Sequence, residues 1–313
     1  MSTRKDAVRE GYARVAGEDF ATRAEALARI ASAFGYADDD LAALPDGANM
    51  GLSCGNPVAL ASLREGETVV DLGSGGGLDV FLSARAVGPK GHAIGIDMTE
   101  EMVALARRNA AAGSYANVEF HLAAIEAMPL QDGSVDCVIS NCVLNLVDDK
   151  DAALAEIFRV LRPGGRLAVS DIALKRTLPA AVAEDVTAWV SCIAGALSID
   201  DNLSKLAAAG FADAEATPTG ADLNVYKEAG GASCCGPKAD EPEDPCCGPK
   251  PSADTEGCCG PAPEGKQGGC APAPNAAAAN GGFHDRMAHT VQELDLNDYA
   301  AAVRIFAVKP RGD

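Results

Sequence analysis

Residues 69–77 read VVDLGSGGG, a short apolar run followed by a turn made almost entirely of glycine. The β-branched residues before the turn predict a buried strand, and the pattern from Asp79 to Val87 predicts a helix after it. Glycine permits unusual backbone torsions and lets a ligand come close to the main chain. Such a turn between a strand and a helix is typical of enzymes that bind a nucleotide-containing cofactor.

The alternation of strand and helix continues over residues 63–218. Strands are predicted at 68–72, 93–97, 118–122, 134–140 and 166–170, and helices at 79–87, 99–112 and 150–161. This order predicts an α/β protein with a parallel, doubly wound sheet and helices on both faces. Residues 1–62 are predicted to be a helical extension that ends in a turn-rich substrate loop.

A different composition begins near residue 231, where the chain repeats CCGPKADEPEDP, CCGPKPSADTEG, CCGPAPEGKQGG and CAPAPN. The repeat has a period of twelve and lacks an apolar face, so residues 231–282 are predicted to be disordered. Residues 299–308 then alternate like a strand, which makes the repeats an insertion in a hairpin of the sheet. We therefore expect a helical extension (1–62), one catalytic domain (63–230 and 283–313) and an insertion (231–282).

Composition excludes several classes of function. The chain has 26 basic and 45 acidic residues and a formal charge of -19, which argues against nucleic acid and anionic membrane surfaces as partners. No apolar run reaches the ~20 residues of a membrane span. The first residues, MSTRKDAVRE, lack the apolar core of a signal peptide. Eleven cysteines in such a chain indicate thiol or metal chemistry in a reducing compartment, and we expect a cytoplasmic protein.

Three details of the glycine turn favour S-adenosylmethionine as the cofactor. The glycines are spaced Gly-x-Gly-x-Gly, Asp71 lies just before them and suits the amino acid end of a cationic ligand, and Asp97 ends the next strand, where it can bind ribose hydroxyls. Glu126 follows the third strand, near an adenine edge, and Asn141 follows the fourth. The predicted cofactor-binding residues are Asp71, Gly73, Ser74, Gly75, Gly77, Asp97, Met98, Glu126 and Asn141.

The run from Val69 to Val169, which includes DLGSG at 71–75 and VLRPGG at 160–165, resembles class I S-adenosylmethionine-dependent methyltransferases. The resemblance implies a Rossmann-like sheet of seven strands, mostly parallel, with an antiparallel last strand. Residues 299–308 would be that last strand, which agrees with the insertion interpretation.

Further stretches resemble one family within this class, the arsenite methyltransferases. They are FGY at 34–36, Pro45, GLSCGNP at 51–57, SNCVLNL at 140–146 and WVSCIAGA at 189–196. The resemblance covers most of residues 8–226 and the last strand, but the cysteine repeats are not part of the family's common pattern. It implies that Cys54, Cys142 and Cys192 bind trivalent arsenic and that the product is a methylated arsenical, formed in arsenic detoxification.

The chemistry of these residues agrees with that implication. Trivalent arsenic is soft and thiophilic, takes three ligands in a pyramid and keeps a lone pair, so no general base is required to activate it. Cys54 lies in a loop before the first strand, Cys142 follows the fourth strand, and Cys192 is expected on a helix after the fifth. Methylation oxidises arsenic, and two site cysteines are predicted to return the electrons by forming a disulfide. A thiol reductant, glutathione or a thioredoxin-type partner, would then be needed.

The remaining cysteines are given other roles. Cys137 lies in the middle of an apolar strand and is predicted to be a core residue. The repeat cysteines are predicted to chelate arsenite or another soft metal and pass it to the site, and the alternative is a low-complexity insertion that tolerates cysteine. They are Cys234, Cys235, Cys246, Cys247, Cys258, Cys259 and Cys270.

Two other functions stay open at this stage. A methyltransferase for another small-molecule nucleophile would want a general base and leaves the three site cysteines unexplained. A soft-metal binding or buffering protein on a methyltransferase fold explains the repeats but not the intact cofactor turn.

Overall fold

The computed structural model describes residues 4–18, 20, 23–183, 192–225 and 295–312. The predicted cysteine-repeat insertion at 231–282 lies outside the described residues. Within the described part of the chain, no helix has the length and apolarity that crossing a membrane requires.

Seven strands form one sheet in the order β3-β2-β1-β4-β5-β7-β6. The first five strands along the chain pair in parallel, and β7 is antiparallel to both β5 and β6. The predicted fold class, with its antiparallel last strand, is therefore confirmed. The strands are β1 (Thr68–Leu72), β2 (His92–Asp97), β3 (Val118–Leu122), β4 (Val135–Asn141), β5 (Leu161–Leu174), β6 (Ala212–Pro218) and β7 (Ala300–Val308).

Helices cover both faces of this sheet because successive strand residues point in opposite directions. Val69 packs with Val87 on one face, whereas Val70 packs with Ile157 on the other. The helices are α1 (Arg4–Val15), α2 (Ala24–Ala33), α3 (Asp38–Ala42), α4 (Pro57–Ala61), α5 (Leu78–Val87), α6 (Glu100–Ala112), α7 (Lys150–Val160), α8 (Ala180–Ala183), α9 (Ile199–Ala208) and α10 (Leu296–Tyr299). Cys137 is fully buried with Val69, as predicted, and burial raises the pKa of its thiol to about 12.

Strand β5 (Leu161–Leu174) is longer than the strand predicted from its apolar run at 166–170. It pairs with β7 over the nine residues from Arg166 to Leu174, so the ladder carries the strand beyond the stretch that alternates in sequence. β6 pairs with β7 as an antiparallel neighbour, so the chain between them, which contains the repeats, is an insertion in this hairpin. This position agrees with the sequence prediction.

The carboxyl ends of β1, β2 and β4 lie side by side and open toward the N-terminal helices. α1 and α2 bury Val8 and Leu27 in one apolar cluster, which also contains Cys54, Cys142 and Cys192. The helical extension thereby packs against the end of the sheet where a ligand of this fold class binds.

Candidate functional site

An open cavity lies at the carboxyl ends of β1, β2 and β4, with a volume of about 1070 Å³ when the space at its mouth is included. Eight of the nine predicted cofactor residues line it: Asp71, Gly73, Ser74, Gly75, Asp97, Met98, Glu126 and Asn141. The ninth, Gly77, begins α5 with a φ of 96°, and a Cβ there would lie 2.7 Å from the ring of Phe81. Close packing of the helix start accounts for this glycine.

Hydrogen bonds to the second strand hold the glycine turn in place. The backbone N–H groups of Gly73 and Ser74 donate to the carbonyl of Ile96 at 2.7 and 3.0 Å. The N–H of Gly75 donates to Oδ2 of Asp97 at 3.0 Å. Gly73 has a φ of 65°, and a Cβ at this position would collide with the side chain of Val143. The turn is therefore shaped before any ligand enters.

The charged residues that line the cavity are mostly acidic. Among the described residues that line it, five are carboxylates and one is a lysine; they are Asp71, Asp79, Asp97, Glu126, Asp148 and Lys5. Such a lining repels a pyrophosphate and attracts a cation, so its chemistry fits the sulfonium and ammonium groups of S-adenosylmethionine better than a dinucleotide.

Two of these carboxylates, Asp71 and Asp79, are buried close together, and Asp97 lies half-buried near them. Burial raises the pKa of Asp79 to about 6, although hydrogen bonds from Tyr36 and Asn141 act in the opposite direction. Burial, together with the negative charges of Asp79 and Asp97, holds the pKa of Asp71 well above its usual range. A bound cation would favour the ionised forms of all three carboxylates. Asp79 is a site residue that the sequence analysis missed, because its helical position suggested only a helix start.

Asn141 joins the cavity to the loop that carries Cys54. Its Oδ1 accepts the N–H of Cys54 at 2.9 Å, and its Nδ2 lies 2.9 Å from the carbonyl of Gly55. The same Nδ2 lies 2.8 Å from the hydroxyl of Tyr36 and 3.1 Å from Oδ2 of Asp79. Tyr36 in turn donates to Oδ1 of Asp79 at 2.7 Å. Asn141 was predicted as a cofactor residue, and the structure places it between the carboxylates and the thiol loop.

The three predicted site cysteines come together around Cys142, which lines the cavity. Cys54 and Cys142, 88 residues apart, form a disulfide with a Cα–Cα distance of 5.7 Å. The Sγ of Cys192 donates to the carbonyl of Cys142 at 2.6 Å. All three residues are buried. Three thiols would be available to a ligand only after reduction of the disulfide.

The expectation that Cys192 lies on a helix is wrong. Cys192 occupies a turn and has a φ of 66°, a left-handed torsion that a helix interior excludes. Burial and the charge of Asp171 hold the pKa of its thiol well above the ordinary value, whereas a hydrogen bond with Tyr12 lowers it. Sequence periodicity could not reveal the turn, because its torsions depend on distant partners.

The other end of the cavity is covered by α1. Nζ of Lys5, on this helix, lies 3.0 Å from Oε1 of Glu126. Val8 and Tyr12, on the same helix, also line the cavity. One helix of the N-terminal extension therefore reaches from the predicted adenine edge to the cysteines.

Residues 63–216 match the methyltransferase domain family. An arsenite methyltransferase from Halobacterium salinarum is 47% identical over 204 residues, which are 65% of this chain and 52% of that protein. The human arsenite methyltransferase is 38% identical over 138 residues, 41% of this chain and 37% of that protein. The match thus spans about half, or less, of the length of these relatives.

A solved structure gives a similar result. The crystal structure of an arsenic (III) S-adenosylmethionine methyltransferase from Chlamydomonas reinhardtii aligns with a TM-score of 0.51 and 25% sequence identity. The alignment covers 90% of this chain and 73% of that one.

Proposed function

We propose that this chain belongs to the arsenite methyltransferase family and that it transfers methyl groups from S-adenosylmethionine to trivalent arsenic held by Cys54, Cys142 and Cys192. One observation carries the proposal. Cysteines from three distant segments meet where Cys142 lines a cavity whose charged residues are mostly acidic. Such a cavity offers soft ligands to arsenic beside a binding surface for a cation.

When bound, S-adenosylmethionine supplies an electrophilic methyl group on a cationic sulfonium. In the proposal, the turn of Gly73 to Gly75 receives the cofactor, Asp71 faces its ammonium group, Asp97 binds its ribose and Glu126 its adenine edge. The arrangement of these groups along the cavity supports these assignments.

The chain's contribution to the reaction is to hold and shield the arsenic. Three thiolates bind trivalent arsenic and leave its lone pair free as the nucleophile, so no side chain has to remove a proton from the substrate. Met50 and Leu52 pack with the cysteines in one apolar cluster, which supports the exclusion of water from the reacting atoms.

Methylation oxidises arsenic from the trivalent to the pentavalent state. Two thiolates can return the two electrons, and they form a disulfide as arsenic becomes trivalent again. The Cys54–Cys142 disulfide is the product that such a step would leave. We propose that glutathione or a thioredoxin-type protein then reduces it, and that the activity serves arsenic detoxification in the cytoplasm.

A direct test is incubation of the reduced protein with arsenite and S-adenosylmethionine labelled in its methyl group, with Cys142→Ser and Cys137→Ser as variants. We expect label on arsenic with the wild type and with Cys137→Ser, whose residue lies outside the site. We expect almost none with Cys142→Ser. Absence of labelled arsenic in the wild type would overturn the proposal and favour a buffering protein or another methyl acceptor.

For the insertion at 231–282, we propose that its seven cysteines capture arsenite and deliver it to the site. Vicinal cysteines are more suited to clasping a soft ion than to bridging each other. Replacement of all seven by serine should weaken methylation at low free arsenite and lower the number of arsenic atoms bound. If neither changes, the segment is a low-complexity insertion without this role.

A further inference from the structure

Near the cysteines lies a buried pair of residues, Asn145 and Asp171, which are 3% and 2% exposed. Nδ2 of Asn145 donates to Oδ1 of Asp171 at 2.8 Å, and the backbone N–H of Asn145 lies 3.3 Å from Oδ2. The same Nδ2 lies 2.7 Å from the carbonyl of Ile172 and 3.1 Å from the carbonyl of Cys192. The amide of Asn145 therefore connects strand β5 to the turn that carries the third cysteine.

Strand β5 makes a rigid support for this pair. Asp171 lies opposite Val303 in the ladder with β7, and its Oδ1 also accepts the N–H of Ile172 at 2.8 Å. The backbone carbonyl of the preceding residue, Ser170, accepts a hydrogen bond from the backbone N–H of Cys142 at 2.8 Å. Two neighbouring residues of β5 therefore contact the segments of Cys142 and Cys192. The carbonyl of Ser170 binds the backbone of Cys142 directly, and Asp171 is connected to the backbone of Cys192 through Asn145.

The backbone conformation of Cys192 requires stabilisation by its surroundings. Its left-handed torsion is unfavourable for a residue with a Cβ, and it persists in folded proteins where the surroundings enforce it. Its thiol hydrogen contacts the carbonyl of Cys142, so a shift of the turn would change the separation of these two cysteines.

We propose that Asn145 and Asp171 are positioning residues that fix the turn of Cys192 and set its thiol beside Cys142, so that reduction leaves three sulfur atoms able to bind one arsenic atom. The role of arsenic in this inference rests on the proposed function. Neither residue is assigned contact with the substrate; both act through Cys192.

The test measures how fast iodoacetamide alkylates Cys192 in the fully reduced protein loaded with S-adenosylmethionine, with mass spectrometry to locate the label. Asn145→Ala should release the turn and raise the rate about 10-fold, as local opening of a buried site does. Asn145→Asp keeps the size of the side chain but loses its donors, and it should match Asn145→Ala. Asn117→Ala is the control, because Asn117 also donates to main-chain carbonyls, those of Ala84 and Gly88, away from the site.

Arsenite binding gives the second readout. Asn145→Ala should weaken the affinity about 10- to 100-fold, as loss of a residue that orients a metal ligand does, and should leave the affinity for S-adenosylmethionine within about 2-fold. In a Cys192→Ser background the effect of Asn145→Ala on arsenite should vanish, because the two residues act as one unit. If Asn145→Ala does not fold, Asp171→Asn is measured in its place with the same expectations.

Any of three results would overturn the positioning role. The first two are an alkylation rate of Cys192 in Asn145→Asp, or in Asp171→Asn, that equals the wild-type rate. The third is a loss of arsenite affinity on Asn145→Ala that is as large in the Cys192→Ser background as in the wild type. Alkylation requires no arsenic. A wild-type protein that binds no arsenite would therefore overturn the proposed function, whereas the alkylation rates would still decide whether Asn145 and Asp171 hold Cys192.

Discussion

The backbone N–H of Cys54 donates to Oδ1 of Asn141 at 2.9 Å, across 87 residues of sequence. Asn141 immediately precedes Cys142, so one residue contacts the loop of Cys54 through its side chain and is joined to Cys142 by a peptide bond. Its Nδ2 also lies 3.1 Å from Asp79 in the acidic part of the cavity. The thiols and the carboxylates therefore share one amide, and a change at this residue should affect both.

Asn141→Ala is expected to weaken binding of S-adenosylmethionine and of arsenite together. Loss of buried hydrogen bonds should also lower the free energy of unfolding by about 1–3 kcal/mol. Isothermal titration of each ligand and urea denaturation measure these effects. Asn202→Ala is the matched control, because Nδ2 of Asn202, on α9, donates to the carbonyl of Ser198 just before that helix, away from the cavity. Loss of only one of the two affinities would contradict the shared role.

The affinity for S-adenosylmethionine should rise as the pH increases from 5 to 7. The pKa of Asp79 is raised to about 6 by burial, so its carboxyl gains a negative charge in this interval and attracts the cationic ligand more strongly. Asp79→Asn should bind the cofactor more weakly at pH 7 and show a flatter profile. Equilibrium dialysis at several pH values tests this, and an unchanged slope in the variant would assign the titration to another group.

The stability of the folded protein should fall as the pH rises from about 4 toward about 7. Burial raises the pKa of Asp171 to about 7, above the value of about 3.9 for an unfolded chain, so the folded state retains this proton longer. The stabilisation is complete below the unfolded pKa and is lost as the pH passes the folded one. Urea midpoints at pH 5 and pH 8 should differ less in Asp171→Asn than in the wild type. Equal differences in both proteins would exclude Asp171 as the source.

The ion pair between Lys5 and Glu126 should contribute little to stability. Its partners are 46% and 23% exposed, and such pairs contribute about 0–1 kcal/mol. Lys5→Ala should therefore leave the melting temperature nearly unchanged.

Glu126→Ala should weaken the binding of S-adenosylmethionine more than Lys5→Ala does. Removal of the carboxylate that we propose holds the adenine edge should raise the dissociation constant of S-adenosylmethionine about 10-fold, the loss of one hydrogen bond to a charged group. Lys5→Ala serves as the control and should change it less than about 3-fold, in keeping with a screened pair. Equal effects of the two substitutions would mean that α1, rather than the Glu126 carboxylate, determines affinity at this end.

The sequence was sufficient for the fold because its signals are local. The apolar run before Gly73 and the alternation of strands and helices follow from side-chain periodicity, which a linear reading detects. The position of Asp71 and Asp97 beside one cavity could also be predicted, because each lies near the end of a strand and parallel strands end at one edge of a sheet. Cys137 was identified as a core residue for the same reason.

The contacts among Cys54, Cys142 and Cys192 depended on the tertiary structure. Their approach requires strand β4 to lie between β1 and β5, and it requires a left-handed turn at Cys192 that Asn145 holds from 47 residues away. Likewise, the sequence predicted only that Asp79 begins a helix, whereas the folded chain places the side chains of Tyr36 and Asn141 within hydrogen-bond distance of its carboxylate. Periodicity and spacing specify which residues share a face or an edge, whereas contacts between distant segments are determined by strand order, register and packing of the folded chain.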